Sequence, residues 1–308
     1  MQPDAKRFTI SIAMATYNGA RFLTEQLASF VAQERLPDEL VVCDDGSTDA
    51  TMEILQDFAA SAPFSVRVER NDRNLGFARN FEKAISLCNG DLIFLSDQDD
   101  YWLPIKLARV EEEFIADSRV MVTINDMIIS DAELKHNSVT QLGNIRAGGL
   151  DERTFIAGCC IALRKTAFRF IYPIPTEIFA HDRWISDLFV ALNARRLIDS
   201  PLQLYRRHGS NETNWVYNDP RGVNLARVVA NGAFVSPISA WETQLSRIDA
   251  MKDRVVSGRE TLESLGLGSC SKDALAFFDR QRSSYAALLQ NSDRRGFTSR
   301  IHAVRRVA

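Results

Sequence analysis

Between residues 8 and about 130, short apolar runs alternate with longer stretches of helical spacing. The runs cover residues 8–14, 39–43, 65–69 and 91–95. Each leads into a polar loop, and after the first three loops apolar residues recur every three or four positions. The repeats are Leu23, Leu27, Phe30 and Val31, then Met52, Leu55, Phe58 and Ala59, then Phe77, Phe81, Ala84, Ile85 and Cys88. This texture predicts β-α-β units feeding a mostly parallel sheet. Beyond about residue 130 the pattern changes. Residues 156–164 read as a buried strand and 197–206 as another. Between them, His181 opens a helix with Ile185, Leu188, Phe189 and Leu192 on one face. From about 215 the chain reads as helical to its end. Ile238, Trp241, Leu245, Ile248, Val255 and Leu262 keep a three-four spacing, which suits a helix packed on the first part of the chain or a coiled-coil dimer.

In parallel sheets ligands bind beyond the carboxyl ends of the strands. Four polar loops would share that edge: residues 15–19, 44–49, 70–76 and 96–100. Two of them are dense in acid. Asp97-Gln98-Asp99 follows an apolar run, and two carboxylates at that spacing can reach one Mg²⁺ or Mn²⁺ ion together. Asp100 is a third acid, expected to cap the next helix, whose first turn would include Pro104. In the other acidic loop Asp49 is a candidate N-cap. Asp44 and Asp45 are then left as carboxylates that accept from a base N–H or a ribose hydroxyl, or as a solvated turn. Asp182 fits a helix cap or a general base. His208, among Arg206, Arg207 and Asn211, fits a ligand to the same metal, a diphosphate contact or a polar turn.

Composition narrows the classes. The 308 residues are 45% apolar and 25% charged, the mix of an ordinary globular protein. With 37 Lys and Arg against 40 Asp and Glu, no basic excess points to nucleic acid. Cys43, Cys88, Cys159, Cys160 and Cys270 are odd in number and hold no C-x-x-C. That favours a reducing compartment over a disulfide framework or zinc site. No long apolar region follows residues 1–7, so no signal peptide is expected, and no apolar run is long enough to span a bilayer. The basic residues Arg294, Arg295, Arg300, Arg305 and Arg306, with Phe297, Ile301 and Val304 between them, suit a solvated tail or an anionic membrane surface.

Together these loops resemble the family-2 glycosyltransferases, which have the GT-A fold. The matching pieces are residues 12–19, residues 39–49, Asn74-Leu75-Gly76 with Arg79 and Asn80, and residues 95–100 with Trp102, Pro104 and Lys106. They stand in the family order over residues 8–115, more loosely to about 211. The form S-D-Q-D-D-x-W-x-P looks most like bacterial polysaccharide transferases, among them rhamnosyltransferases. The resemblance implies an α/β GT-A domain over residues 1–212, with a nucleotide-sugar half to about 115 and an acceptor half from about 116. Residues 213–308 would form a helical extension.

It also implies roles. Thr16, Tyr17, Asn18, Asp44, Asp45, Arg79, Asp97 and Gly158 would hold the nucleotide sugar, with Tyr17 stacked on the base. Asp97, Asp99 and His208 would hold Mn²⁺ or Mg²⁺. Asp182 would be the catalytic base, although His181 stands before it where the family often has an acid. Gly158 with Cys159 would line the donor-acceptor pocket. The implied reaction is an inverting transfer of a sugar, such as L-rhamnose, to a glycan or lipid-linked glycan. The donor would be dTDP-, UDP- or GDP-linked. The implied setting is the cytoplasm or the inner face of the cell membrane, with a homodimer left open. Three rivals fit less well. A sugar-nucleotide pyrophosphorylase would carry a glycine-rich basic loop after the first strand. A dinucleotide oxidoreductase needs G-x-G-x-x-G there. A non-catalytic nucleotide-sugar module would not need Asp97, Asp99 and Asp182.

Overall fold

The computed structural model describes residues 7–176, 180–209, 211, 216–223 and 238–292. The basic stretch at 294–306 lies outside them. The first half alternates as the pattern predicts: β1 (Ile10–Thr16), α1 (Ala20–Val31), β2 (Glu39–Asp44), α2 (Thr51–Ser61), β3 (Ser65–Arg70), α3 (Phe77–Leu87) and β4 (Leu92–Ser96). Then come β5 (Tyr101–Trp102), α4 (Lys106–Ala116), β6 (Val122–Ser130), β7 (His136–Thr140) and α5 (Gln141–Ala147). The remainder is β8 (Ile161–Arg164), α6 (Lys165–Ile171), α7 (His181–Ala191), β9 (Arg195–Arg206), α8 (Ile238–Ser257), α9 (Arg259–Ser264) and α10 (Ser271–Ser292).

One nine-stranded sheet runs β3-β2-β1-β4-β8-β6-β9-β5, with β7 beside β6. β1 to β4 are mutually parallel. β8 runs antiparallel to both β4 and β6, and β9 returns parallel to β6. Strand pairing aligns Thr16 with Asp44 and Asp44 with Arg70. The loops after β1, β2 and β3 therefore leave one edge together, and that after β4 joins them through the Met14–Ser96 pair.

The period of two divides the central strands between two cores. Ile10, Ile12, Met14, Leu40, Val42 and Phe94 face α1 and α4 through Leu23, Leu27, Phe30, Leu107 and Phe114. Ala13, Val41, Ile93 and Leu95 face the other way, toward Phe81 and Ile85 of α3 and Ile185 and Leu188 of α7. The C-terminal helices join this second core through Ile248, Met251, Val255, Leu262, Ala274 and Phe278. Their spacing thus serves packing on the sheet domain. Arg254 ties them further, donating to the carbonyls of Phe170, Tyr172 and Pro173. Among the described residues no helix is long and apolar enough to cross a membrane.

Three expectations are corrected. The strand expected at 156–164 begins only at Ile161, because Gly158–Cys160 form a 3-10 turn. Asp100 does not cap α4, which starts at Lys106 after Ile105 and Pro104. It is fully buried, and its carboxylate accepts from Gln203 Nε2 at 2.8 Å and the Arg206 N–H at 3.2 Å. Asp49 stands one residue before the cap of α2 but still braces two helix starts, accepting from the N–H groups of Thr51 and Ala20.

Phe278 of α10 is fully buried in the shared core. Phe278→Ala should lower the unfolding free energy by about 3–5 kcal/mol in urea titration. A change below about 1 kcal/mol would mean that α10 does not belong to that core.

Candidate active site

The loops at the carboxyl edge are built by side chains that satisfy their backbones. Asp44, at the end of β2, is fully buried. It accepts from the Thr16 hydroxyl at 3.1 Å, from the N–H groups of Gly46 and Ser47, and from the Ser47 hydroxyl. Asp45 accepts from Asn71 Nδ2 and from the N–H groups of Leu75 and Gly76, at 2.7–2.9 Å. One carboxylate thus closes its own turn and the other fixes the loop after β3. Gly76 can follow that path because its φ is +80°, a region costly for a side chain. Asn18 joins the first two loops, donating its N–H to Ser47 Oγ and accepting from the Thr48 N–H.

Tyr17 is half exposed, and its backbone is clamped by Gln98. Its N–H donates to Gln98 Oε1 at 2.9 Å, and its carbonyl accepts from Gln98 Nε2 at 3.0 Å. The middle residue of D-x-D therefore fastens the loop after β1 to the loop after β4. Tyr17, Asp45, Arg70, Asn71, Arg73 and Asn74 line a cleft of about 430 Å³, an open aromatic wall facing polar groups. Arg79 does not line it. Arg79 pairs with Glu82 at 2.9 Å and borders a neighbouring cleft of about 550 Å³ with Arg73, Lys83 and Tyr172.

The acids after β4 point in two directions. Asp99 Oδ2 lies 2.8 Å from His208 Nε2. Asp97 clusters instead with Asp100 and Cys159, their ligand atoms all within 4.8 Å of one another. Burial, then the charges of Asp99 and Asp100, raises the Asp97 pKa well above the usual carboxylate range. Burial, then Asp99, pushes Asp100 up to about 7. A hydrogen bond with Cys160, then burial, holds the Cys159 thiol protonated, so it serves here as a donor rather than a thiolate ligand.

These residues fit a hard divalent cation. Neighbouring ligands of a six-coordinate Mg²⁺ lie about 3 Å apart, which the Asp99–His208 separation matches. Carboxylate oxygens and imidazole nitrogen suit Mn²⁺ as well. Burial and then mutual repulsion raise Asp97 and Asp100, and a cation bound beside them would favour their charged forms.

Asp182 is the second residue of α7, half-buried, with its carboxylate taking the Arg183 N–H at 2.7 Å. Gly158 is its neighbour. A Cβ at position 158 would stand 3.6 Å from Asp182 Cβ and only 2.8 Å from His181 Nε2. His181 is 4% exposed and stacks on Phe81 at 4.2 Å between ring centroids. Neither of its ring nitrogens has a hydrogen-bond partner. Burial lowers its pKa and the neighbouring Asp182 raises it, the net shift being downward.

Sequence reasoning brought Asp97, Asp99, His208, Gly158 and Asp182 to this edge but missed their supports. Asn71, Gln203 and Arg206 brace the loops from sequence positions that carry no spacing signal. Gln98, Asn80 and Lys106 lay inside recognised motifs, without a role. Asn80 donates to the Cys43 carbonyl and accepts from Asn71, fixing α3 beneath the loop.

The profile of Glycosyl transferase family 2 matches residues 11–171, more than half of the chain. The chain is similar to the uncharacterized protein Rv1520 of Mycobacterium tuberculosis, at 26% identity over 82% of this chain and 70% of that protein. It is similar to the dTDP-rhamnosyl transferase RfbG of Shigella flexneri, at 28% identity over 65% of this chain and 73% of that one. Two solved structures share its fold. S. aureus TarS 1-349 in complex with UDP superposes with a TM-score of 0.51 over 91% of both chains, at 17% identity. The mannosyltransferase PcManGT from Pyrobaculum calidifontis, in complex with GDP-Man and Mn²⁺, gives 0.51 over 97% of this chain and 79% of that one, at 18% identity. With its parallel β1 to β4, its D-x-D loop and this profile match, the chain belongs to glycosyl transferase family 2 and is a GT-A glycosyltransferase.

Proposed function

We propose that this glycosyltransferase is inverting and metal-dependent, and that it moves a deoxyhexose such as L-rhamnose from a nucleoside diphosphate to a hydroxyl of a bacterial surface glycan or its lipid-linked precursor. The observation that carries the reading is the meeting of three elements at one sheet edge. These are the Tyr17–Asp45 cleft, the Asp99–His208 pair and Asp182 beside Gly158. Similarity to RfbG favours a dTDP-linked donor. In this reading residues up to about 115 hold the nucleotide, and the part to about 212 holds the acceptor.

Tyr17 stacks on the base while Asp45 and Asn71 hold the loop against it. Asp97, Asp99 and His208 would hold Mn²⁺ or Mg²⁺, which supplies charge neutralisation at the diphosphate. Asp182 takes the proton of the acceptor hydroxyl as that oxygen attacks the anomeric carbon. The bond from that carbon to the diphosphate oxygen breaks on the opposite face, and its electron pair leaves with the nucleoside diphosphate. One displacement inverts the centre. Gly158, where a Cβ would meet His181 Nε2 at 2.8 Å, lets the turn lie close against α7 beside Asp182.

A thermal-shift screen of dTDP, UDP and GDP, each with and without Mn²⁺, tests donor and metal together. One nucleotide should raise the melting temperature in a Mn²⁺-dependent way, and Asp99→Ala should remove the Mn²⁺ dependence. No shift with any nucleotide on folded protein would contradict the donor site. Asp182→Asn should keep the nucleotide shift and lower turnover by about 10²-fold or more. Full activity in that variant would assign the base elsewhere.

His181 gives a pH signature. Its folded pKa lies below the ordinary 6.5, so below that pH the unfolded chain takes up a proton that the folded chain refuses. Stability is therefore lost as pH falls, by up to about 1.4 kcal/mol per unit. His181→Phe keeps the ring on Phe81 and removes two unpaired nitrogens. It should be more stable than the parent at neutral pH by about 1 kcal/mol or more, and the gap in urea midpoints should widen toward pH 5. A gap independent of pH would contradict a buried neutral imidazole.

A further inference from the structure

Lys106 is the least expected side chain near the site. It opens α4 and is 1% exposed. Both facts count against a cation, since burial penalises the ammonium and a helix N-terminus repels it. Burial lowers its pKa to about 8, with Cys160, Cys159, Asp100 and Asp97 opposing. What it gains is contacts. Nζ donates to the Cys159 carbonyl at 3.0 Å and to Gln203 Oε1, and stands 3.9 Å from the centre of the Trp102 ring. Gln203 is fully buried and passes the link on, its Nε2 donating to Asp100 Oδ2 at 2.8 Å. Trp102 and Gln203 face one another across the β5–β9 pair. A chain of polar contacts thus runs from the Gly158–Cys160 turn through Lys106 and Gln203 to the loop of the metal acids.

We propose that Lys106 is a positioning residue that locks the Gly158–Cys160 turn to the Asp97–Asp100 loop, so that the floor beneath the transferred sugar and the acids at the diphosphate respond to the donor as one unit. This rests on the donor site proposed above. The β4–β8 pairing stops at Phe94 and Ala162, short of both. Beyond that point the Cys159 side chain meets the Asp97 and Asp100 carboxylates, and Lys106 adds a second link, holding the Cys159 carbonyl while it reaches Asp100 through Gln203. An apolar residue of similar length would fill the same space without the desolvation cost, so the ammonium is explained by what it connects.

Backbone hydrogen exchange followed by mass spectrometry reads this connection. The probe is Mn²⁺ with whichever of dTDP, UDP and GDP gives the largest thermal shift. In the parent protein the probe should slow exchange in peptides covering both 97–103 and 158–163. In Lys106→Met the first segment should still be protected and the second should lose its response. A side chain with a merely structural role would raise basal exchange but leave both responses in place, and that result would overturn the proposal. If Lys106→Met does not fold, Gln203→Leu breaks the next link and must give the same split. Absence of any response in the parent protein would instead remove the donor site itself, and this proposal with it.

Discussion

Three carboxylates within four residues at the end of a buried strand make a demand that the rest of the fold answers. Asp97, Asp99 and Asp100 cannot be desolvated together unless donors and cations surround them. β4 offers none beyond Ser96. The donors come instead from the end of β9, where Gln203 and Arg206 bond Asp100 and His208 meets Asp99. Arg206 also donates to the Asp99 carbonyl at 2.8 Å, with its guanidinium over Phe22. These partners lie more than a hundred residues along the chain from the acids. They reach them because β8 reverses direction between β4 and β6, and β9 then returns beside β6. The mixed half of the sheet is the means by which the acidic loop is neutralised.

The loops after β1, β2 and β3 are held by a different device. Asp44 closes its own turn, while Asp45, Asn18 and Gln98 each reach across to a neighbouring loop. Charge-assisted bonds to backbone N–H groups are stronger than neutral ones, so Asp45, helped at Gly76 by Asn74 Oδ1, fixes the path of residues 75 and 76. Such bracing leaves Tyr17 exposed on a backbone held by Gln98. If Tyr17 stacks on the base as proposed, its platform is ordered before the ligand arrives, which lowers the entropy cost of binding.

Much of this was legible in the sequence where one residue type answers one local rule. β1, β2 and β4 are largely apolar runs, β3 alternates Val66 and Val68 with charged residues, and the helices carry clear stripes, so strand ends and the loops after them could be located. Asp97 and Asp99 were marked out by their place after an apolar run, whereas Asp182 was told from a helix cap only by the family resemblance. β6 was missed because Thr123, Asn125 and Asp126 lie buried within it, which breaks the apolar run. Asp126 survives there by accepting from the N–H groups of Met127 and Leu142. Asp100 looked like a cap because nothing local distinguishes a cap from an acid whose partners arrive at Gln203 and Arg206. Asp44 looked like a ligand contact for the same reason, though its lone pairs are taken up within the protein. The split between Asp97 and Asp99 is likewise a matter of which neighbours each meets.

Buried charge elsewhere in the chain obeys the ordinary rule. Arg35 pairs with Asp38 at 2.8 Å and with Glu111 at 3.6 Å. Around the site the rule is broken repeatedly. His181 has no partner for either nitrogen, Lys106 sits against its own helix dipole, and Asp97 carries a strongly raised pKa. Each is a cost to stability, and none is needed for the sheet to form. A sequence under pressure only to fold would place apolar residues at 106 and 181. The departures converge on the space between Gly158, Asp182 and the acids after β4. One wall of that space is negative, while Arg70, Arg73 and Lys83 border the neighbouring clefts. In the function proposed above, a diphosphate entering together with a divalent cation would present charges of both signs and meet both walls, where an anion or a cation alone would meet only one.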